Sequence, residues 1–218
     1  LLWPFSQDRI SWSLISIVDP LFTVPLAGLV ALAIYKRKPL HARVGLFWVA
    51  LYLSIALLQQ QAAVDMAKEI AAERGHIPIR ITAKPSFGNI LVWRTIYELP
   101  EDFYIDAVRV GFAPKVFEGT TLPKLVVDRD LPWLAQDSQQ DKDIKRFRFF
   151  SLGFVAQNPE RPNRLIDIRY SFVPNDIQAL WSIEASPSIS HEAHVTYQTH
   201  REDARNNLSR LWEMVTEE

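Results

Sequence analysis

The chain contains no cysteine, which excludes a disulfide framework and any thiolate metal site. It has almost no net charge, with 24 Lys and Arg against 25 Asp and Glu. Without a basic excess there is no electrostatic ground for binding nucleic acid. It has no glycine-rich phosphate loop, no G-x-S-x-G elbow and no H-E-x-x-H helix, so the common nucleotide, serine-hydrolase and zincin motifs are missing. Internal repeats and low-complexity segments are missing too. The opening LLWPFS is apolar, does not start with Met and lacks the basic region of a secretory signal. Further sequence is therefore expected upstream.

Long apolar runs are present, and they lie before Leu58. Residues 15–35 read ISIVDPLFTVPLAGLVALAIY and end on Lys36, Arg37 and Lys38. About 20 apolar residues suffice for a helix to cross the roughly 30 Å hydrocarbon core of a bilayer. Asp19-Pro20 admits two readings, which are compatible. Asp19 is an N-cap with Pro20 at the first helical position, or it is a carboxylate kept at the membrane boundary for function. A second run, VGLFWVALYLSIALL, continues into QQQAAVDMAKEIAAERG. There Ala63, Met66, Ala67, Ile70 and Ala71 recur at helical spacing, opposite Asp65, Lys68, Glu69 and Glu73. The pattern predicts helices over about 20–36 and 42–74, the second leaving the bilayer and stopping at Gly75. Trp3, Phe5 and Trp12 fit an interfacial segment before them.

The loop between the spans holds Lys36, Arg37, Lys38 and Arg43 without an acid. Positive charge in a short loop marks the cytoplasmic side. The expectation is a multi-pass protein of a bacterial inner membrane, with membrane lipid as partner and its C-terminal domain in the periplasm.

From Ile77 the period changes to two. Strands are expected around 77–82, 89–99, 103–112, 150–157, 165–172 and 179–185, with a short polar helix over 137–149. This is an α+β class: two transmembrane helices followed by a mainly antiparallel sheet, arranged as a meander. The domains read as a membrane region 1–75, an extramembrane α+β domain 76–185, and a polar tail 186–218 with a terminal helix near 201–217.

Candidate chemistry is sparse. His191, His194 and His200 form the one histidine cluster, in the polar tail; a solvated segment accounts for them as simply as a zinc site does. Asp106, Asp167 and Asp176 lie in or beside strands; any two could form a carboxylate pair, with solvent-facing strand positions the plainer expectation. Asn89, Trp93 and Arg94 follow a Pro-Ser-Phe-Gly turn. An Asn there can position a ligand and an Arg can hold an anion; turn chemistry and a surface ion pair are the plainer alternatives.

The blocks LLWPFSQDR, IVDPLFTVP, KPSFGNILVWR and RFFSLGF, in this order, resemble the second half of the YdjM-type inner-membrane metal-dependent hydrolases. The resemblance runs over about 1–185. It maps onto Ser6, Asp8 and Arg9, then Asp19, then Asn89, Trp93 and Arg94, then Ser151 and Gly153. Leu152 and Gln7 depart from the pattern. The resemblance implies a membrane-bound hydrolase of an ester or phosphoester, with a divalent metal ion such as zinc as cofactor. It implies catalytic roles for Asp19 and Asp8, metal ligation by Asp19 together with ligands upstream, and ligand binding by Asn89, Trp93 and Arg94. The alternative is a non-catalytic, membrane-anchored periplasmic binding or interaction module.

Overall fold

The computed structural model describes residues 12–111, 113–200 and 204–216. Asp8, with Ser6 and Arg9, lies outside the described residues.

Helix α1 (Pro20–Lys36) begins as its sequence predicts. The Asp19 side chain accepts from the Phe22 amide at 3.1 Å, and Pro20 occupies the first turn, where its missing N–H costs nothing. Arg37 closes the helix in the left-handed region. Helix α2 (Pro39–Glu73) runs 35 residues back along α1 and beyond it. Its end is a Schellman turn: the His76 amide donates to Ala71 O at 2.8 Å and the Gly75 amide to Ala72 O at 2.9 Å, with Gly75 at positive φ.

The expectation of two spans is met in part. Among the described residues α2 alone is both long and apolar enough to cross a bilayer; α1 is apolar but has 17 residues. The facing surfaces of the pair are closed by Trp48, whose indole donates to Phe22 O, and by Gly45 against Leu26 and Leu29. The outer surfaces are strongly apolar: Leu21, Val24, Val30, Leu32 and Ile34 on α1, and Leu46, Phe47, Leu51, Leu57 and Leu58 on α2, are exposed.

The single meander expected from the sequence is two antiparallel sheets. Strands β1 (Arg80–Pro85), β2 (Val92–Glu98), β3 (Asp102–Arg109) and β4 (Lys115–Pro123) form the first, in that order. After α3 (Val127–Asp130) and α4 (Gln139–Phe150), strands β5 (Val155–Asn158), β6 (Arg161–Asp167), β7 (Trp181–Glu184) and β8 (Thr196–Thr199) form the second. Helix α5 (Ala204–Thr216) follows. Segment 186–218 therefore contributes an edge strand and a packed helix. Ile77 and Ile79, read as strand, are exposed ahead of β1.

The layers are helix, sheet, sheet, helix. Trp93, Tyr97 and Val108 on one face of the first sheet pack with Ala56, Ala63, Ile70 and Ala71 of α2. Ile96, Phe103 and Ile105 on the other face meet Phe154, Ile166 and Ile168 of the second sheet. Val155, Leu165 and Ile183 then face Ile144 and Phe147 of α4. Helix α5 covers Val92 and Ala107 with Leu211 and Met214.

Candidate functional site

Where α1 leaves the helical pair, a cavity of about 590 Å3 opens between the segment before α1, the end of β1, the stretch after β6 and helix α5. Its wall is mostly apolar: Ile15, Ile17, Val18, Phe87, Phe172, Leu180, Trp181 and Leu208. Three cations also line it, Lys84, Arg94 and Arg169, and among the described residues no acidic one does. Residues 15–18 lead into Pro20, so the cavity adjoins the first turn of the apolar helix.

Each cation is held differently. Arg94 and Lys84 are cross-strand partners in β2 and β1, so their side chains leave the same face. Arg94 is 3% exposed. It donates through Nε to Ile168 O at 2.8 Å and through Nη1 to Pro174 O at 2.5 Å and Asp176 O at 2.8 Å. Its Nη2 is buried with no hydrogen-bond partner. Burial pushes this guanidinium down to about 10, against the pull of Asp176 and Asp167. Lys84 is 6% exposed; burial and the Arg169 charge push its ammonium down to about 8. Its Nζ is hydrogen-bonded to Ser13 Oγ and sits 5.6 Å from the centre of the Tyr170 ring. Arg169 is paired with Asp167 at 2.7 Å and donates to Phe150 O at 2.9 Å. The Asp176 carboxylate is tied to Arg210 at 3.0 Å. Among the described residues the wall thus carries more positive charge than its neighbouring carboxylates balance.

The other sequence candidates have structural roles. Asp19 is 3% exposed and both its oxygens are engaged: Oδ1 by the Phe22 amide and Oδ2 by the Tyr52 hydroxyl at 2.7 Å. Asn89 folds its own turn, accepting from the Leu91 and Val92 amides at 3.0 and 2.9 Å and donating to Ser86 Oγ at 2.8 Å. Trp93 is fully buried against α2 and donates to Ile90 O at 2.8 Å. Ser151 and Gly153 shape the turn after α4: the Ser151 amide donates to Phe147 O, and Gly153 has positive φ. Of the three grouped residues 89, 93 and 94, only Arg94 reaches the cavity.

The three aspartates expected on solvent-facing strand positions are held apart by different cations. Asp106 is buried and takes a bidentate pair from Arg74 at 2.6 and 3.0 Å. Asp167 is buried with Arg169, and Asp176 pairs with Arg210. The histidines separate as well: His194 Nδ1 meets Asp143 at 2.8 Å, while His200 Nε2 meets Ser182 Oγ at 2.8 Å. Among the described residues no group of three His, Asp or Glu side chains converges on a point that could hold a metal ion. Asp19 therefore gains no companion ligands from them, and the residues described do not fit a divalent metal.

No family model, curated protein or solved structure matches the chain. The roles of Ser13, Lys84 and Arg169 were not visible in the sequence. Lys84 reads as an ordinary polar position in an alternating strand, and Ser13 lies 71 residues from it.

Proposed function

We propose that this protein is a membrane-anchored head that binds an amphiphile, an alkyl or acyl chain bearing an anionic group, in the cavity beside α1. One observation carries the reading: a buried arginine with an unpartnered nitrogen stands on an apolar wall with two further cations and, among the described residues, no acid. An unsatisfied buried cationic donor is costly. A carboxylate or phosphate placed there receives charge-assisted hydrogen bonds that are stronger than neutral ones, and the apolar wall shelters the chain attached to it. Exposed Ile17, Val18 and Leu21 continue the apolar surface from the cavity onto the helical pair, a route by which a ligand drawn from lipid enters.

In this reading α1 and α2 cross the bilayer as a hairpin. Helix α1 is roughly 25 Å long at 1.5 Å per residue, enough with anchored ends. The loop of Lys36, Arg37 and Lys38 lies in the cytoplasm, and the sheets stand in the periplasm on the outer end of α2. The metal-dependent hydrolase implied by the family resemblance needs a ligand set that the described residues do not assemble, so binding is the reading argued.

The test is isothermal titration of the detergent-solubilised chain with dodecyl phosphate, dodecanol and inorganic phosphate. Dodecyl phosphate is expected to bind at least tenfold more tightly than either fragment. Leu208→Glu, a half-exposed position on the wall, is expected to weaken it at least tenfold without lowering the melting temperature by more than a few degrees. Equal binding of dodecanol and dodecyl phosphate removes the cationic wall from the reading.

A further inference from the structure

Ser13 and Lys84 share the cavity wall, and their side chains are hydrogen-bonded to each other. We propose that they form a nucleophile and base that cleave a carboxylic ester in the bound amphiphile. The proposal rests on the binding reading for its substrate class, but not for its chemistry.

Three observations carry it. The first is contact: the Lys84 amine lies directly on the Ser13 hydroxyl, the arrangement in which an amine activates a weak nucleophile. The second is the setting of Lys84. It is buried on β1, and among the described residues its side chain makes no ion pair with a carboxylate. The charged groups around it are Arg94 on β2, and Arg169 and Asp167 from the second sheet, with the Tyr170 ring against it. Asp167 is taken up by Arg169. A buried lysine among cations sheds its proton more readily than one in water, and about 8 lies within reach of neutral pH. The third is Ser13 itself, a non-glycine residue at φ +50°. Left-handed backbone at a serine costs energy and persists where surrounding structure imposes it. Gln60 of α2 braces this stretch, donating from Nε2 to Trp12 O at 2.8 Å, with Ser13 O at 3.3 Å and Ala83 O at 3.5 Å sharing the amide. That side chain joins the residue before the serine to the residue before the lysine.

The chemistry balances within the pair. The neutral Lys84 amine takes the hydroxyl proton as Ser13 Oγ bonds to the ester carbonyl carbon. The carbon–oxygen bond to the alcohol then breaks, and the Lys84 ammonium returns that proton to the departing alkoxide, leaving an acyl-serine. A water, giving its proton to Lys84, attacks the acyl carbon. The acyl–Oγ bond breaks, a free carboxylic acid leaves, and the proton on Lys84 returns to Ser13. Neither a metal nor a redox partner takes part. The product acid is an anionic amphiphile, the class of ligand the cationic wall holds.

The experiment uses the full chain in detergent, with a long-chain alkyl fluorophosphonate as the serine probe and p-nitrophenyl laurate as the ester. Peptide mass spectrometry is expected to find the label on Ser13, with the labelling rate rising about tenfold from pH 7 to pH 9. Lys84→Met is expected to lower labelling and ester turnover at least 100-fold. Ser13→Ala and Ser13→Gly, the latter relieving the backbone, are expected to abolish both; thermal melts establish that each variant is folded. A folded wild-type chain that is unlabelled, or labelled elsewhere with turnover unchanged in Ser13→Gly, overturns the dyad. Dodecyl phosphate binding by the same wild-type preparation separates the readings. Binding without labelling removes the dyad alone, and labelling of Ser13 without such binding removes the anionic ligand alone.

Discussion

At the scale of single residues, two cations one strand apart answer burial in different ways. Arg94 keeps its charge and spends three donors on backbone carbonyls, a use its planar, always-protonated fork suits. Lys84 is hydrogen-bonded to a hydroxyl, and burial together with the Arg169 charge loosens its hold on the proton. The sign of the pH effect follows. Its folded pKa of about 8 lies below the ordinary 10.5, so between those values the unfolded chain binds more protons and stability rises with pH. Lys84→Met is expected to flatten that rise and to stabilise the fold at pH 7 by about 1 kcal/mol or more, since an apolar side chain replaces a poorly solvated ammonium. Melting temperatures of both chains from pH 7 to 10.5 check this; parallel pH curves would remove Lys84 from the account. How far such residues are legible in sequence depends on the range of the interaction. Asp19-Pro20 was readable because a helix cap is written within four residues. Grouping Asn89, Trp93 and Arg94 fails because neighbours on a strand point to opposite faces, Trp93 to α2 and Arg94 to the second sheet. The contact of Ser13 with Lys84 is closed by the whole fold and leaves no local trace.

At the scale of elements, the long helices and six of the eight strands were legible, while β4, β8 and the four-residue α3 were not, for identifiable reasons. Helix α2 carries its own stop at Gly75 and its own inward face. Strand β2 is buried along its whole length and lacks the alternation of a strand with one wet face, yet its β-rich composition announces it. Strand β4 has a glycine in its middle and four polar or charged residues, and β8 lies in a stretch that reads as polar tail. The glycine in β4 is the missed signal, because a glycine inside a strand marks a bulge or a close approach. The register between β3 and β4 shifts between Ile105 and Ala107, and a Cβ on Gly119 would lie 2.1 Å from Ile105 O. The residue at the shift is Asp106, whose Oδ1 accepts from the Gly119 amide at 3.0 Å while the carboxylate also holds Arg74 at the end of α2. One bulge therefore fixes both the fold of the first sheet and the docking of the long helix on it. Gly119→Ala is expected to destabilise the protein by about 2 kcal/mol or more, seen as a clear loss in melting temperature. Gly28→Ala, where a Cβ meets nothing within 4 Å, is the control expected to be near neutral. Equal tolerance of the two would mean that the close approach at Gly119 is not a constraint.

At the scale of the whole molecule, the chain in the proposed reading is divided between two solvents. The outer surface of α1 and of the first half of α2 is apolar, while the second half of α2 is anchored to the first sheet by Ala63, Ala67, Ile70 and Ala71. One rigid helix thus joins the apolar pair to the sheets, and the cavity stands at the junction, beside the first turn of α1. In the proposed reading, orientation across a bilayer decides from which side the cavity meets its ligand. The absence of cysteine makes this directly measurable, because a single introduced thiol has no background. Glu192→Cys, exposed beside the second sheet, and Lys38→Cys, exposed in the loop between α1 and α2, report the two sides. With a membrane-impermeant maleimide on sealed spheroplasts, Glu192→Cys is expected to react fully and Lys38→Cys to react only after lysis, by a factor of ten or more between the sites. The reverse pattern would put the sheets and the cavity in the cytoplasm. Reaction of both thiols in sealed spheroplasts would mean that α1 and α2 do not cross as a pair, and the cavity would then have to draw its ligand from water.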